Sequence, residues 1–230
     1  MIKLYSPMTR LDLMSREDFA KYYVEQHTKV GGGFPGHRKY VGSPALQSAN
    51  GDDPAFDAVA ELWFDDVDSL SQAFTHELWE RARRDHPNVV SGRLMFVTEE
   101  VVFMEQPSFG SGAVKYVGLL SRKDNMSRDD FQSYWLEKHV PLALETPGLR
   151  GYRACPAICS ANGDSLTMQT REAPQYDGVV EMWFDSVEAF DQSFRDPFWD
   201  QLRTDYYQNF AMNRVQLIVE EHLVFDKTSG

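Results

Sequence analysis

Two histidines close two runs of evenly spaced aromatic residues. Phe131, Trp135 and His139 stand at i, i+4 and i+8, and Phe19, Tyr23 and His27 repeat that spacing earlier in the chain. On a helix these positions share one face, so each imidazole points inward with the aromatics. A histidine in that position is either a satisfied core residue or a pocket group poised near neutral pH as a general acid or base. Tyr134 and Tyr22, five residues before the histidines, and Tyr152 and Tyr40 farther on, can each offer a phenol proton to a substrate oxygen or serve as amphipathic core edge. Glu181 and Glu61 alternate with Trp183 and Trp63 in otherwise apolar strands. Strand alternation puts Glu and Trp on one face, which is either part of a site or the contact between modules, with the carboxylate paired to an arginine. Arg150 and Arg38 can hold a carboxylate or enolate, or face water. The catalytic candidates are thus His139, His27, Tyr134, Tyr152 and Glu181, with Trp135, Tyr22, Tyr23, Arg150, Arg38, Tyr40 and Trp183 as candidates for holding the substrate.

Every one of these candidates has a partner because the chain is one module written twice. Residues 14–27 return at 126–139 with 8 of 14 positions identical, and the register continues through Pro35-Gly36 and Pro147-Gly148, and through Tyr40 and Tyr152. After a break the match resumes, 57–74 repeating as 177–194 with 9 of 18 identities. The change of offset requires an insertion in the second copy, near Ser165 to Glu172. A period near 110 residues is too long for a solenoid. It predicts two modules, 1–108 and 113–230, packed as a pseudo-twofold pair that reproduces a homodimer inside one chain. The assembly is then a monomer with an internal pseudo-dimer, or a homodimer of tandem chains.

Each module reads β-α-β-β-α-β. Opening strands are predicted at Lys3 to Pro7 and Val114 to Leu120. Ser15 with Asp18, and Ser127 with Asp130, have capping-box spacing and start helices that run to about His27 and His139. Second strands are predicted near Arg38 to Val41 and Gly151 to Ala154, and third strands over Asp57 to Phe64 and Asp177 to Phe184. Helices starting at Asp65-Asp66 and at Asp185 follow, then short helical stretches with Trp79 and Trp199. Single closing strands are expected at Leu94 to Met104 and Val215 to Phe225. The fold class is α+β: two ferredoxin-like modules, each an antiparallel sheet with helices on one face, packed as an intramolecular pseudo-dimeric α+β barrel.

The net charge of -12 and the lack of a basic stripe argue against nucleic-acid and anionic-membrane partners. No apolar run reaches the roughly 20 residues that span a bilayer, and no signal-like segment precedes Lys3-Leu4, so a cytoplasmic location is expected. Cys155 and Cys159 share one stretch of the second module and read as a reduced pair. Nucleotide loops, a serine elbow, zinc spacing and a flavin fingerprint are all missing, so no cofactor is expected and the partner is a small-molecule substrate. His37, His76, His86 and His222 lack counterparts and read as local features, His37 being the one to watch.

The second copy, with Ser127-Arg-Asp-Asp-Phe, Tyr134-Trp135, Glu137, His139-Val-Pro141-Leu142, Pro147-Gly148-Leu149-Arg150, Tyr152 and Asp177-Gly-Val-Val-Glu-Met-Trp-Phe-Asp185, resembles the EthD family of dimeric α+β barrels, and the first copy matches as well. The resemblance implies that His139, and by position His27, marks a pocket. The superfamily includes lactone isomerases, polyketide cyclases and decarboxylases, cofactor-free monooxygenases and haem proteins, so fold alone does not choose a reaction. The first copy departs from the pattern: His27-Thr-Lys-Val and three glycines stand where the second has His139-Val-Pro-Leu. The expected function is cofactor-free proton transfer (isomerisation, cyclisation, dehydration or decarboxylation) on a small aromatic, lactone or polyketide-like molecule, with His139 the better-formed site. The alternative is a haem- or metabolite-binding protein without turnover.

Overall fold

In a computed structural model, which describes residues 1–161 and 175–228, the first module runs β1 (Ile2–Arg10), α1 (Arg16–Tyr22), a π-helical turn (Tyr23–His27), α2 (Thr28–Val30), β2 (His37–Ser48), β3 (Ala58–Phe64), α3 (Val67–Phe74), α4 (Glu77–Asp85), a 3-10 turn (His86–Asn88), β4 (Val90–Arg93), β5 (Phe96–Glu99) and β6 (Val101–Met104). The second repeats it as β7 (Val114–Arg122), α5 (Arg128–Tyr134), a π-helical turn (Trp135–His139), α6 (Val140–Ala143), β8 (Gly151–Ser160), β9 (Gly178–Phe184), α7 (Val187–Phe194), α8 (Phe198–Asp205), a further π turn (Tyr206–Phe210), β10 (Ala211–Val219) and β11 (His222–Asp226). The insertion predicted near Ser165 to Glu172 lies outside the described residues.

The predicted helix starts form as their caps require. Ser15 Oγ accepts from the Asp18 N–H at 3.1 Å and Ser127 Oγ from the Asp130 N–H at 3.0 Å, each satisfying a donor that the first helical turn leaves open, worth about 1 kcal/mol. The later helix of the second module is capped by Ser186, which accepts from the Ala189 N–H, rather than by Asp185. Asp185 is turned outward to Arg150.

The strands close on themselves. Their order is β10-β7-β9-β8-β5-β1-β3-β2, and β2 pairs back onto β10. Each module's last strands cross over to the other module: β5 and β6 pair with β8, and β10 and β11 pair with β2. The closing segments are therefore not the single strands predicted. They break at Glu100 and at Glu220-Glu221, and the Glu100 and Glu221 carboxylates reach the barrel's buried lysines. The second strands are also longer than predicted, because their far ends receive the crossing strands of the other module. The barrel has no open seam between the modules, which removes the unpaired edges that would otherwise invite aggregation.

One core lies under each module's helices, and a third fills the barrel between the modules around Tyr5, Phe96, Val117, Cys155 and Leu217. Both cysteines are buried. The barrel interior is also ionic. Lys3 Nζ lies 3.0 Å from Glu61 and 2.6 Å from Glu181, and Lys115 contacts Glu61 and lies 2.8 Å from Glu221. Arg153 lies 2.6 Å from Glu100. Trp63 and Trp183 donate their indole N–H groups to Glu100 and Glu221 at 2.8 and 2.6 Å. Strand alternation thus delivers Glu and Trp to the face between the modules. The partners of Glu61 and Glu181 are lysines of β1 and β7, not the arginine expected from sequence. Among the described residues no helix is long and apolar enough to cross a membrane.

Candidate functional site

Each module carries one cavity between its helices and its sheet. The second is lined by Tyr116, Leu120, Trp135, His139, Tyr152, Trp199, Tyr206 and Arg214 among others, and the first by the corresponding Leu4, Met8, His27, Tyr40, Trp79, His86 and Arg93. They enclose about 360 and 410 Å³ respectively, part of it open to solvent. The space free inside them is far smaller, about 20 and 30 Å³, room for one or two waters, so a bound molecule must shift the lining side chains.

The π turns aim the histidines into these cavities. Eight residues at about 3.6 per turn overshoot two full turns by ~80°, which would carry His139 off the stripe begun by Phe131. The wider π turn takes up most of that overshoot and returns the imidazole to the apolar face. The same happens between Phe19 and His27, whose rings stack on Tyr23 at 5.7 Å on either side.

What orients each imidazole is an aspartate at the end of the module's second helical layer. His139 Nδ1 lies 2.7 Å from Asp205 Oδ2, while Tyr134 OH and Asn209 Nδ2 donate to Asp205 Oδ1 at 2.7 and 2.8 Å. In the first module His27 Nδ1 lies 2.7 Å from Asp85 Oδ2, with Tyr22 OH and Asn88 Nδ2 on Oδ1 at 2.7 and 3.2 Å. Burial works against each aspartate's charge, but the histidine, tyrosine and asparagine bonds prevail and hold both carboxyls below their ordinary range. An ionised aspartate accepts the Nδ1–H and so leaves the Nε2 lone pair as the imidazole's free nitrogen. Burial lowers both histidine pKa values; the aspartates pull the other way, and Arg93 or Arg214 adds to the lowering. Both rings are therefore neutral at pH 7 and available as bases.

The sequence candidates separate on this geometry. His139, Trp135 and Tyr152 meet in the second cavity, and His27 and Tyr40 in the first. Tyr134 and Tyr22 are bound to the aspartates and support the imidazoles instead of facing a substrate. Tyr23 is buried against Val59, to whose carbonyl its hydroxyl donates at 3.3 Å. Glu181 and Trp183 lie in the barrel interior and belong to neither cavity, a correction to their reading as site residues. Arg38, at the start of β2, and Arg150, just before β8, are exposed and form forked pairs with Asp65 and Asp185. His37 is structural: its Nε2 meets the Lys39 carbonyl at 2.9 Å and its ring stacks on Phe64. His86, read from sequence as a local feature, instead lines the first cavity with its ring 5.1 Å from His27.

Sequence reasoning missed Asp85, Asp205, Arg93 and Arg214. The signal was present, since Asp85 and Asp205 continue the register of the 57–74 repeat, past Trp79 and Trp199. One extra residue in the second copy, absorbed by the Tyr206–Phe210 π turn, then shifts Asn88 to Asn209 and Arg93 to Arg214.

Both halves match the family model described as the EthD domain, over residues 12–93 and 123–213. The chain belongs to the EthD family. As a tandem EthD protein it contains within one chain the barrel that its fold class makes from two modules. No curated protein matches it in sequence. Among solved structures it is similar to an anthrone oxidase-like protein (11% identity, TM-score 0.63, covering 98% of this chain and 94% of the other). It is also similar to a candidate monooxygenase from Lactobacillus acidophilus NCFM (12%, TM-score 0.56, 98% and 96%). A chlorite dismutase from Candidatus Nitrospira defluvii aligns at 10% identity and TM-score 0.51 over 95% of this chain and 90% of that one. At such identities these likenesses establish the α+β barrel for this EthD protein and nothing about its reaction. Among the described residues no group of three or more His, Cys, Asp or Glu side chains is arranged to hold a metal ion.

Proposed function

We propose that this EthD protein is an enzyme that moves a proton on a small, oxygenated, largely apolar one-ring molecule, with His139 as the general base. The observation that carries this reading is the aspartate-anchored imidazole. Asp205 holds Nδ1 at 2.7 Å, so Nε2 is the nitrogen left to take a proton, and the buried ring is neutral at pH 7. Around it the cavity is built mainly of aromatic and aliphatic side chains, which excludes water and makes the charge of an ionising substrate depend on the groups that line it. Isomerisation, cyclisation, dehydration and decarboxylation of an activated ring all include such a step. The haem-binding alternative is disfavoured by space. A tetrapyrrole needs a slot far longer than either cavity, and Trp135, Tyr152 and Trp199 occupy the volume it would take.

Deuterium wash-in tests the reading. One-ring carbon acids such as 2-cyclohexenone, 1,3-cyclohexanedione and α-angelica lactone are incubated with the protein in deuterium oxide and followed by proton NMR. Catalysed exchange or double-bond migration that is lost in His139→Gln supports the proposal. Rates equal to buffer for every compound, or equal rates in wild type and His139→Gln, overturn it.

A further inference from the structure

Two polar atoms in the second cavity are left with nothing to bond. Trp135 and Tyr152 are fully buried, and neither the indole Nε1–H nor the phenol oxygen reaches a hydrogen-bond partner. Both side chains line the cavity that His139 lines. They are neighbours as well: burial drives the Tyr152 phenol far above its ordinary pKa, and a hydrogen-bond-like contact with the Trp135 indole tempers that rise, although it falls short of hydrogen-bond geometry. Buried donors are rarely left unmade, because each forfeits its bonds to water without replacement. The indole nitrogen can only donate, and a phenol that stays protonated at neutral pH donates too. The atom that satisfies both is a ligand oxygen with free lone pairs.

We propose that Trp135 and Tyr152 form a two-donor site for the carbonyl oxygen of the substrate, which becomes an enolate oxygen when His139 removes a proton from the adjacent carbon. This deepens the proton-transfer reading and rests on it. In the step, the C–H bond breaks, the proton goes to His139 Nε2, and the electron pair passes through the new C=C bond to the oxygen between the two donors. Return of the proton to the same or a conjugated carbon completes the cycle without an oxidant or co-reactant. Donors fixed in place before the reaction stabilise the developing charge without reorganising. The ligand class is thereby narrowed to one-ring ketones and lactones that carry a C–H next to the carbonyl carbon.

The first cavity lacks this pair. Tyr23 replaces Trp135 there, and its hydroxyl is spent on the Val59 carbonyl. Trp79 keeps one unpartnered indole N–H, whereas its counterpart Trp199 donates to Ser193 Oγ at 3.2 Å.

The test uses 4-nitrophenol, whose anion imitates the enolate and absorbs visible light. It is titrated into wild type, Trp135→Phe, Tyr152→Phe, Tyr40→Phe and His139→Gln at alkaline pH, where the probe is supplied as the anion, so binding does not depend on a base. The expected result is one tight site per chain, weakened about tenfold or more in Trp135→Phe and in Tyr152→Phe and unchanged in Tyr40→Phe, a tenfold loss being the expected order for a hydrogen bond to a charged group. Tyr152→Phe removes one oxygen and carries the test alone if Trp135→Phe does not fold. Wild-type affinity in Tyr152→Phe, an equal loss in Tyr40→Phe, or no binding by wild type overturns the site. Anion binding that persists in His139→Gln while deuterium exchange is absent from all proteins sinks the base and leaves the oxygen site standing.

Discussion

The two modules agree in the machinery that holds the histidine and differ in the space the histidine faces. Each holds one imidazole nitrogen on an aspartate that a tyrosine and an asparagine brace in turn, with every bond between 2.7 and 3.2 Å. In front of the other nitrogen the residues are exchanged in compensating sizes. Trp135 lies over Gly178, where a Cβ would meet the indole at 2.4 Å, and the first module has the smaller Tyr23 and, in place of Gly178, Ala58. Gly42 leaves room for Thr28 and Tyr23, where the second module has Ala154. His86 and Tyr206 occupy the same place beside the imidazole, and Arg93 lies 3.3 Å from His86 whereas Arg214 stacks on Tyr206. A relay kept twice around two reshaped cavities is what duplication followed by specialisation leaves. The unpartnered buried donors come as a pair only on the second side, which is why our proposal gives the chemistry to the second module.

The largest effect that could break this assignment comes from the imidazoles. His139→Ala should cut turnover by about a hundred- to ten-thousand-fold, the usual worth of a positioned acid or base, while His27→Ala changes it by less than about threefold. A reversed ranking in the exchange assay would transfer the chemistry to the first module. Next are the aspartates. Asp205→Asn loses the acceptor that selects the tautomer and should cost about a hundredfold or more, against little for Asp85→Asn. The wild-type acid limb of kcat/KM should lie below 6.5, because burial and Arg214 lower the His139 pKa from that ordinary value. Arg214→Met should move the limb upward, and a limb that does not move would remove Arg214 from the electrostatics of the site.

Packing offers a smaller and independent comparison. Gly178→Ala forces a methyl into Trp135 and should cost about 1–3 kcal/mol, a fall of about 2–4 °C in Tm for each kcal/mol in a chain of this size. Ala58→Gly makes a space in front of Tyr23 and should cost about 1 kcal/mol. Equal shifts would mean that the two cavities are not shaped by these pairs. A further comparison concerns the shared barrel, where Lys3, Lys115 and Arg153 face the four carboxylates Glu61, Glu100, Glu181 and Glu221. Three cations leave one carboxyl to keep a proton. Burial and the neighbouring Glu61 raise Glu181 from 4.5 to about 7, whereas Lys115 and Lys3 overcome burial and hold Glu61 ionised. A group with a raised folded pKa lends stability in full below about 4.5 and has lost it once pH has passed about 7. Melts of Glu181→Gln should therefore show a smaller fall in Tm between pH 5 and pH 8 than wild type. Glu61→Gln should be destabilised across that range, since it takes from Lys3 and Lys115 the carboxylate they share.

The fold was legible from the repeat, and so was the position of each histidine, because Phe, Trp or Tyr, and His at helical spacing admit one orientation toward a sheet. Ser15 and Ser127 were legible for the same local reason. Glu181 and Trp183 were placed on the correct strand face, but the alternation of a strand does not say whether that face meets a ligand or another module. Arg38 and Arg150 escaped in the opposite sense, because each satisfies its charge on an aspartate 27 or 35 residues away that turns out to share its exposed edge.

By itself the sequence determined the number of modules, their order of elements, the pseudo-twofold pairing and the inward histidines, since all of these follow from periodicity and from internal identity. Only the tertiary structure decided what each histidine touches. Asp205 is 66 residues from His139, and Asp85 is 58 from His27. Those contacts depend on two helical layers meeting over one sheet, and on π turns that take back a fraction of a turn no hydrophobic pattern reports. The barrel's ion cluster likewise exists only once β1 and β3 of one module face β7 and β9 of the other, because a lysine between apolar residues is tolerable in a strand only when carboxylates converge on it, and here both modules supply them.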